Sequence, residues 1–332
     1  MAAPVQSASL ATDMTIDLEN PTLVAPRVTF GKTLASLGET NPNVVVLDAD
    51  LACSTQTQFF AEKFPERFFN QGIAEQDLVN TAAGLACVGK IPFLSTFAMF
   101  ASGKAWEPVR NTVAYSNLNV KICPTHSGLS LGEDGASHQS IEDIALMRVI
   151  PNMQVIVPSD ATETEAIIRW AAETDAPMYI RLVRPNTPVI HNPATFELTP
   201  YKLRVEREGT ALTIVATGEC VYHALLAAKH LSEQHGIEAE VLNASFIKPF
   251  DTETLLASAR KTGKVMTVES HNVIGGLGGV VAETLSEHLP TPLKRLGVQD
   301  KFGQSGKGDE LFKLYDIDHT SILAEALAWL KA

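Results

Sequence analysis

Phe69-Asn70-Gln71-Gly72-Ile73-Ala74-Glu75-Gln76-Asp77 opens the stretch on which the reading of this chain turns. Ala74, Leu78, Ala82, Leu85 and Ala86 recur at helical spacing, and Ala83, Gly84 and Cys87 keep the other faces small. The pattern predicts a helix over 75–88, buried and small enough to serve as a contact face. Glu75 stands in its first turn, where the helix dipole favours a carboxylate. Taken alone it reads as an ordinary helix-start acid. Upstream, Val44-Val45-Val46-Leu47 is a short apolar run of the kind buried in a parallel sheet. It delivers Asp48-Ala49-Asp50-Leu51 to the carboxyl end of its strand, where such sheets place their sites.

Strand and helix patterns alternate outward from there. Strands are expected at 91–95, 120–124, 154–157 and 178–183. Helices are expected at 28–37, 99–115, 140–148 and, after a Ser159 or Asp160 cap, through 172. The stretch 185–200 holds four prolines and little periodicity, and reads as a connection between domains. A second alternation follows, with strands at 211–216, 239–242, 265–268 and 293–298 and helices at 221–234, 252–260, 277–289 and 321–330. The fold class expected is α/β, two domains with mainly parallel sheets, divided as 22–190, a linker 191–205, and 206–332. Residues 1–21 have neither a basic start nor an apolar run. They are expected to be a flexible leader, neither signal peptide nor membrane span, on a cytoplasmic protein.

With 332 residues, 45% of them apolar, the chain has material for two cores. A net charge of −12 argues against nucleic acid as a partner, while leaving room for an anionic substrate in a locally basic site. Cys53, Cys87, Cys123 and Cys220 are far apart, three of them in apolar segments. Buried reduced thiols are expected rather than disulfides or zinc. Gly275-Gly276-Leu277-Gly278-Gly279 follows a strand and opens a helix, but Val281 stands where a dinucleotide fingerprint needs its last glycine. A tight, closely packed turn is the better reading.

Two further stretches change the meaning of Glu75. One is Ser95-Thr96-Phe97-Ala98-Met99-Phe100. The other runs from Thr125-His126-Ser127-Gly128 to Gly132-Glu133-Asp134-Gly135-Ala136-Ser137-His138-Gln139. The histidines and acids of the second have no zinc-motif spacing. In order and spacing the three stretches resemble the pyrimidine-binding half of transketolases, from about Pro26 to the C-terminus. The Gly-Glu-Asp-Gly-x-x-His-Gln run is the most specific piece.

The resemblance implies a pyrimidine-binding domain at 22–190 and a transketolase C-terminal domain at 206–332. It implies thiamine diphosphate as cofactor, with Glu75 activating it through the pyrimidine ring, Phe97 and Phe100 around that ring, and Asp50 nearby. Where the family carries another aromatic, this chain has Gly103, so that side of the pocket is expected to be looser. His138 is implied at the ketol oxygens, Asp134 at a donor hydroxyl and His126 along the substrate channel. Arg27, Ser54 and Arg184 match the positions that bind a sugar phosphate, with Arg181 as the alternative in Arg181-Leu182-Val183-Arg184.

No Gly-Asp-Gly occurs to hold Mg2+ and the diphosphate. The chain therefore resembles the C-terminal subunit of a split transketolase. Its site would hold no metal ligands of its own, and Mg2+ would sit mainly on an N-terminal partner subunit in a heterotetramer with two copies of each. The reaction implied moves a two-carbon ketol unit between sugars or sugar phosphates. The β subunit of a 2-oxoacid dehydrogenase, deoxyxylulose-phosphate synthase and a non-catalytic assembly subunit are the alternatives. The first shares the fold, a comparable glutamate and a comparable partner, but the loop motif and the tail Arg295-Leu296-Gly297-Val298-Gln299-Asp300-Lys301-Phe302-Gly303 favour transketolase; the second is the weaker relative, since it normally carries both halves in one chain.

Overall fold

The computed structural model describes residues 17–331 together with Leu10, Ala11 and Met14. Val44–Asp48 is buried along its whole length, as its apolar run requires. It pairs in parallel with Phe68–Asn70 on one side and Ile91–Ser95 on the other. The chain thus reverses its direction of travel across the sheet here, and such a reversal opens a crevice at the carboxyl ends of the strands. The sheet continues in parallel through Lys121–Ile122, Met178–Ile180 and Gln154–Ile156.

Its seventh strand, Phe246–Lys248, is antiparallel and comes from the second half of the chain. The second sheet runs Leu293–Val298, Val265–Asn272, Leu212–Ala216, Ala239–Asn243 in parallel, closed by antiparallel Arg204–Arg207. The expected α/β class with two mainly parallel sheets is what the chain adopts, with one strand exchanged between the halves.

Several expectations need correction. The proline-bearing connection is structured: Thr187–Pro188 pairs with Leu23–Val24, and Arg204–Arg207 begins inside the expected linker 191–205. His191 ties the segment down. It is fully buried, with Nδ1 3.2 Å from Asp160 Oδ2 and Nε2 3.0 Å from Glu206 Oε1. Asp160 also caps Ala161–Glu173 by accepting from Glu163 N, so one carboxylate fixes both the helix start and the connection.

Of the expected leader 1–21, residues 1–9, 12, 13, 15 and 16 lie outside the described residues. What is described of it is docked. Leu10 bridges to Arg207, Leu18 is buried with its carbonyl accepting from Tyr222 Oη, and Glu19 pairs with Lys229. The cysteines are all unpaired, but Cys53 and Cys87 are exposed, so only Cys123 and Cys220 fit the expectation of burial.

The helix expected over 99–115 is not a regular α-helix. Phe100–Lys104 and Val109–Ala114 are π-helical, flanking Trp106–Pro108; Ala105 N reaches Phe100 O and Tyr115 N reaches Arg110 O. Widened turns of this kind re-aim side chains near functional sites. At the glycine turn, Glu269 is buried, and its carboxylate accepts from Leu277 N and Gly278 N, both at 2.7 Å. A Cβ on Gly276 would lie 2.1 Å from Glu269 Oε2. The helix start is thus satisfied by the protein's own anion and is not open to a diphosphate. Among the described residues no helix is long and apolar enough to cross a membrane.

Candidate active site

Register alone brings the predicted residues to one edge. Asp48 lies opposite both Asn70 and Ser95, and Leu94 lies opposite Ile122, so four strands end level. Each then delivers polar or aromatic residues. Past Asp48 comes Asp50, exposed, in the left-handed region (φ 64°), with its carboxylate accepting from Asn70 Nδ2 at 3.1 Å. Past Asn70 comes Glu75–Cys87, with Leu78, Val79, Ala82 and Ala83 buried beneath it. Leu85 and Ala86 are half-buried and Gly84 and Cys87 exposed, so the small face of this helix is turned outward.

Glu75 is 3% exposed. Its Oε2 is buried and has no hydrogen-bond partner of normal geometry, but Lys104 Nζ approaches to 2.5 Å. Lys104 ends the π-helical turn that begins at Phe100, so the widened turn supplies the cation that faces this carboxylate.

Past Ser95 come the two phenylalanines, with centroids 6.2 Å apart and rings 15° from parallel. Past Ile122 comes the histidine loop. Thr125 N donates to Thr96 O and Ala98 N to Thr125 O, which lays the loop alongside Phe97. His126 then stacks on Phe97 at 3.9 Å, while His138 meets Phe100 edge-on at 5.4 Å. Aromatic contacts of this geometry contribute about 0.5–1.5 kcal/mol each beyond area burial. Phe97, Phe100, His126 and His138 therefore form one wall. Asp134 is exposed in the same loop. Gly103 is half-buried, and a side chain there would crowd Met99.

His126 is held down to about 3 by burial, then by the charges of Arg27 and Arg184 and by His138. It is neutral near pH 7. Its Nδ1 is 2.7 Å from Thr125 Oγ1, and Nδ1 of His138 is 2.9 Å from Ser137 Oγ, which leaves Nε2 of each ring for other partners.

Arg27, Ser54 and Arg184 are also brought together. Arg27 Nε donates to Arg184 O at 2.9 Å and Nη1 to Ser54 O at 2.6 Å. Arg184 Nη1 donates to Leu131 O at 3.0 Å and lies 3.6 Å from exposed Glu133. Burial, then the charge of Arg184, lowers the pKa of Arg27. Arg181, the alternative, is fully engaged elsewhere. It is buried, its Nε donates to Asp143 Oδ2 at 2.7 Å, and Nη2 donates to Ser140 O and Ser270 O.

Residue-type reasoning missed Gln139. It is buried, and its Nε2 donates to Leu129 O, Gly132 O and, across the halves, Gln304 O. A Cβ at Gly303 would sit 1.9 Å from Gln139 Oε1, so the tail glycine is what lets the loop dock. The pairing of a motif glutamine with a distant glycine was the available signal. Among the described residues no three His, Cys, Asp or Glu side chains gather as a metal site.

Comparison with known proteins gives two family matches, the pyrimidine binding domain of transketolase over residues 24–189 and the transketolase C-terminal domain over residues 201–322. A putative transketolase C-terminal section from Methanocaldococcus jannaschii is 52% identical over 306 residues, covering 91% of this chain and 95% of that one. A 6-deoxy-6-sulfo-D-fructose transketolase subunit from Clostridium sp. is 41% identical over 301 residues, covering 90% and 92%. A solved structure described as a split gene transketolase, inactive beta4 tetramer, superposes with a TM-score of 0.84 at 50% identity, covering 93% of this chain and 98% of that one.

Proposed function

This chain belongs to the transketolase family, and on that premise we propose that it is the pyrimidine-binding subunit of a split, cytoplasmic transketolase. With a separate diphosphate-binding subunit it would move a two-carbon ketol unit from a ketose or ketose phosphate to an aldose or aldose phosphate. The observation that carries this reading is the placement of a buried carboxylate, Glu75, with Oε2 facing the Lys104 ammonium, at the same sheet edge as the Phe97–Phe100–His126–His138 wall.

These residues fit one end of thiamine diphosphate, the cofactor that family membership implies. The pyrimidine needs flat apolar neighbours and a carboxylate, and Phe97, Phe100 and Glu75 supply them. The diphosphate end finds nothing comparable. No Gly-Asp-Gly exists in the sequence, and the glycine-rich start of Leu277–His288 is occupied by Glu269. Mg2+ and the diphosphate are therefore assigned to the partner. When bound, the cofactor supplies the carbon that carries the ketol unit.

The chain's own residues do the rest. Glu75 would present Oε2 to the pyrimidine ring and hold or release a proton at that atom, a role worth about 10²–10⁴ in rate. Neutral His126, with Nδ1 engaged by Thr125, offers Nε2 as donor or acceptor to sugar oxygens. His138 does the same at the ketol group. Arg27 and Arg184, with Ser54 beside them, face a terminal anion, because paired guanidinium groups bind phosphate or sulfonate in forked fashion. The sulfo sugar in the name of the Clostridium relative supports an anionic terminus. Four unpaired cysteines fit a reducing compartment.

The related structure described as an inactive β4 tetramer supports a chain that is silent without its partner. The test is to titrate the purified chain with the candidate partner, Mg2+ and thiamine diphosphate, then supply ketoses and 2-oxoacids separately. Ketol transfer is expected. Decarboxylation of the 2-oxoacid alone would reassign the pair to the 2-oxoacid dehydrogenases.

A further inference from the structure

Glu75 Oε2, the atom assigned to the pyrimidine, is itself enclosed. The residue is 3% exposed, and the group that stands over Oε2 is Lys104 Nζ, at 2.5 Å. The contact is a charge pair without the alignment of a hydrogen bond. A ring nitrogen must come within about 2.7–3.2 Å of that oxygen to bond with it. An enclosed oxygen with an ammonium already against it has no room for that approach, so one of the two charged groups has to give way.

The cation is the movable half. Glu75 opens a helix whose Leu78, Val79, Ala82 and Ala83 are buried, so its backbone cannot shift. The backbone of Lys104 is fixed too. Ala105 N reaches Phe100 O across the widened turn, and Gln76 Nε2 donates to Lys104 O at 3.3 Å, which ties that turn to Glu75–Cys87. The lysine side chain is different. It is 49% exposed, and Gly103 beside it has no side chain to pack against its stem. A half-exposed four-carbon stem withdraws its ammonium by rotating its own bonds, and water takes up the charge at little cost.

We propose that Lys104 is a self-inhibitory latch on the cofactor pocket. In the unloaded chain its ammonium covers Glu75 Oε2 and balances the buried charge. On loading, the ammonium swings into solvent and gives up that oxygen to the pyrimidine. The latch also protects the empty subunit, because a buried carboxylate stripped of its counter-ion destabilises a fold. It weakens binding at the furnished end of the site as well, since a pocket open about a tenth of the time binds about tenfold more weakly. The inference rests on the assignment of Glu75 to the cofactor.

The test is calorimetry of the full chain with thiamine diphosphate and Mg2+, in the parent and in variants of the pair. Lys104→Met should bind about tenfold more tightly than the parent, while its melting temperature without ligand falls. Lys104→Gln, polar and of similar length, carries the same expectation should the Met variant fail to fold. Lys104→Arg keeps the cation and should bind like the parent. In a Glu75→Gln background Lys104→Met should change nothing, because no carboxylate is left to cover. The rise in melting temperature on adding cofactor should rank the variants in the same order. Equal or weaker binding by the neutral variants would overturn the latch and make Lys104 a support of the site, with Glu75 still at the cofactor. A gain that persists in the Glu75→Gln background would overturn it too, by moving the effect to another contact. No binding by any variant would overturn the cofactor assignment and the latch together.

Discussion

Lys104 Nζ lies 2.5 Å from Glu75 Oε2, a half-exposed cation reaching a carboxylate that is 3% exposed. The asymmetry decides what a substitution does. Removing the charge from Glu75 returns Lys104 to water at little cost, whereas removing Lys104 leaves a buried carboxylate without its counter-ion. Glu75→Gln should therefore keep its fold and its partner, with a melting temperature close to that of the parent. Turnover at saturating cofactor should fall by about 10²-fold or more. An unchanged turnover number would remove Glu75 from the reaction.

His138→Ala separates substrate work from cofactor work. The imidazole is half-buried and meets Phe100 by its edge, so its loss leaves Phe97 and Phe100 in contact with each other. Ketol transfer should drop by about 10²-fold with little change in the thiamine diphosphate concentration needed for half-saturation. The opposite split, weak cofactor binding with normal turnover at saturation, would make His138 part of the cofactor pocket instead.

How much of this could be read from the sequence follows from which contacts are local. The apolar runs at 44–47 and 91–95 announced their strands, and each strand's end announced the residues that would share the crevice, since register in a parallel sheet is set by burial. What could not be read is long-range. Nothing local tells that Phe246–Lys248 crosses to the first sheet, or that Gln139 reaches Gln304. Arg181 and Arg184 are chemically alike and three residues apart. Only the placement of Asp143 shows that the first is spent inside the protein. The π-helical turn at Phe100–Lys104 has no pattern of its own in a run of small and aromatic residues, so the nearness of Lys104 to Glu75 was hidden.

The paired arginines should read a terminal anion. Arg184→Gln is the cleaner probe, because Arg27 also supports the backbone at Ser54 and Arg184. Losing one charge-assisted contact should cost about 1.5–3 kcal/mol in kcat/KM toward a phosphorylated ketose. The unphosphorylated sugar should lose much less. Equal losses for the two would mean that the arginine only braces the loop through Leu131.

His191 gives a stability prediction with a definite sign. Burial pulls its pKa down, but hydrogen bonds and charge from Asp160 and Glu206 outweigh that and raise it to about 10. A base whose folded pKa is raised contributes stability that is full below its unfolded value, about 6.5, and is lost as pH climbs through about 10. The advantage of the parent over His191→Asn, measured by thermal unfolding, should be largest near pH 6.5 and shrink steadily toward pH 10. A difference that is flat across this window would show that the ring is held neutral between the two acids.

The isolated chain should be inactive and hold the cofactor weakly. Its pyrimidine end is furnished, whereas an anionic diphosphate calls for Mg2+ on oxygen ligands, and no group of three acids, histidines or cysteines among the described residues gathers to hold one. The larger electrostatic share of binding is missing. On the proposed reading the other half docks on the surface around Glu75–Cys87. Ile73 and Val88 stand 77% and 73% exposed at its two ends, and exposed Gly84 and Cys87 allow close approach of another backbone. On that reading the closed assembly is a heterotetramer with two copies of each subunit. Replacing Gly84 by Arg should leave the monomer folded, since nothing lies within 4 Å of a Cβ built there, while preventing assembly with the partner in light scattering. Calorimetry of the unpartnered chain with Mg2+ and thiamine diphosphate should show only weak binding, little changed when Mg2+ is withheld. Tight, Mg2+-dependent binding accompanied by ketol transfer would mean that this chain builds both ends of the site by itself.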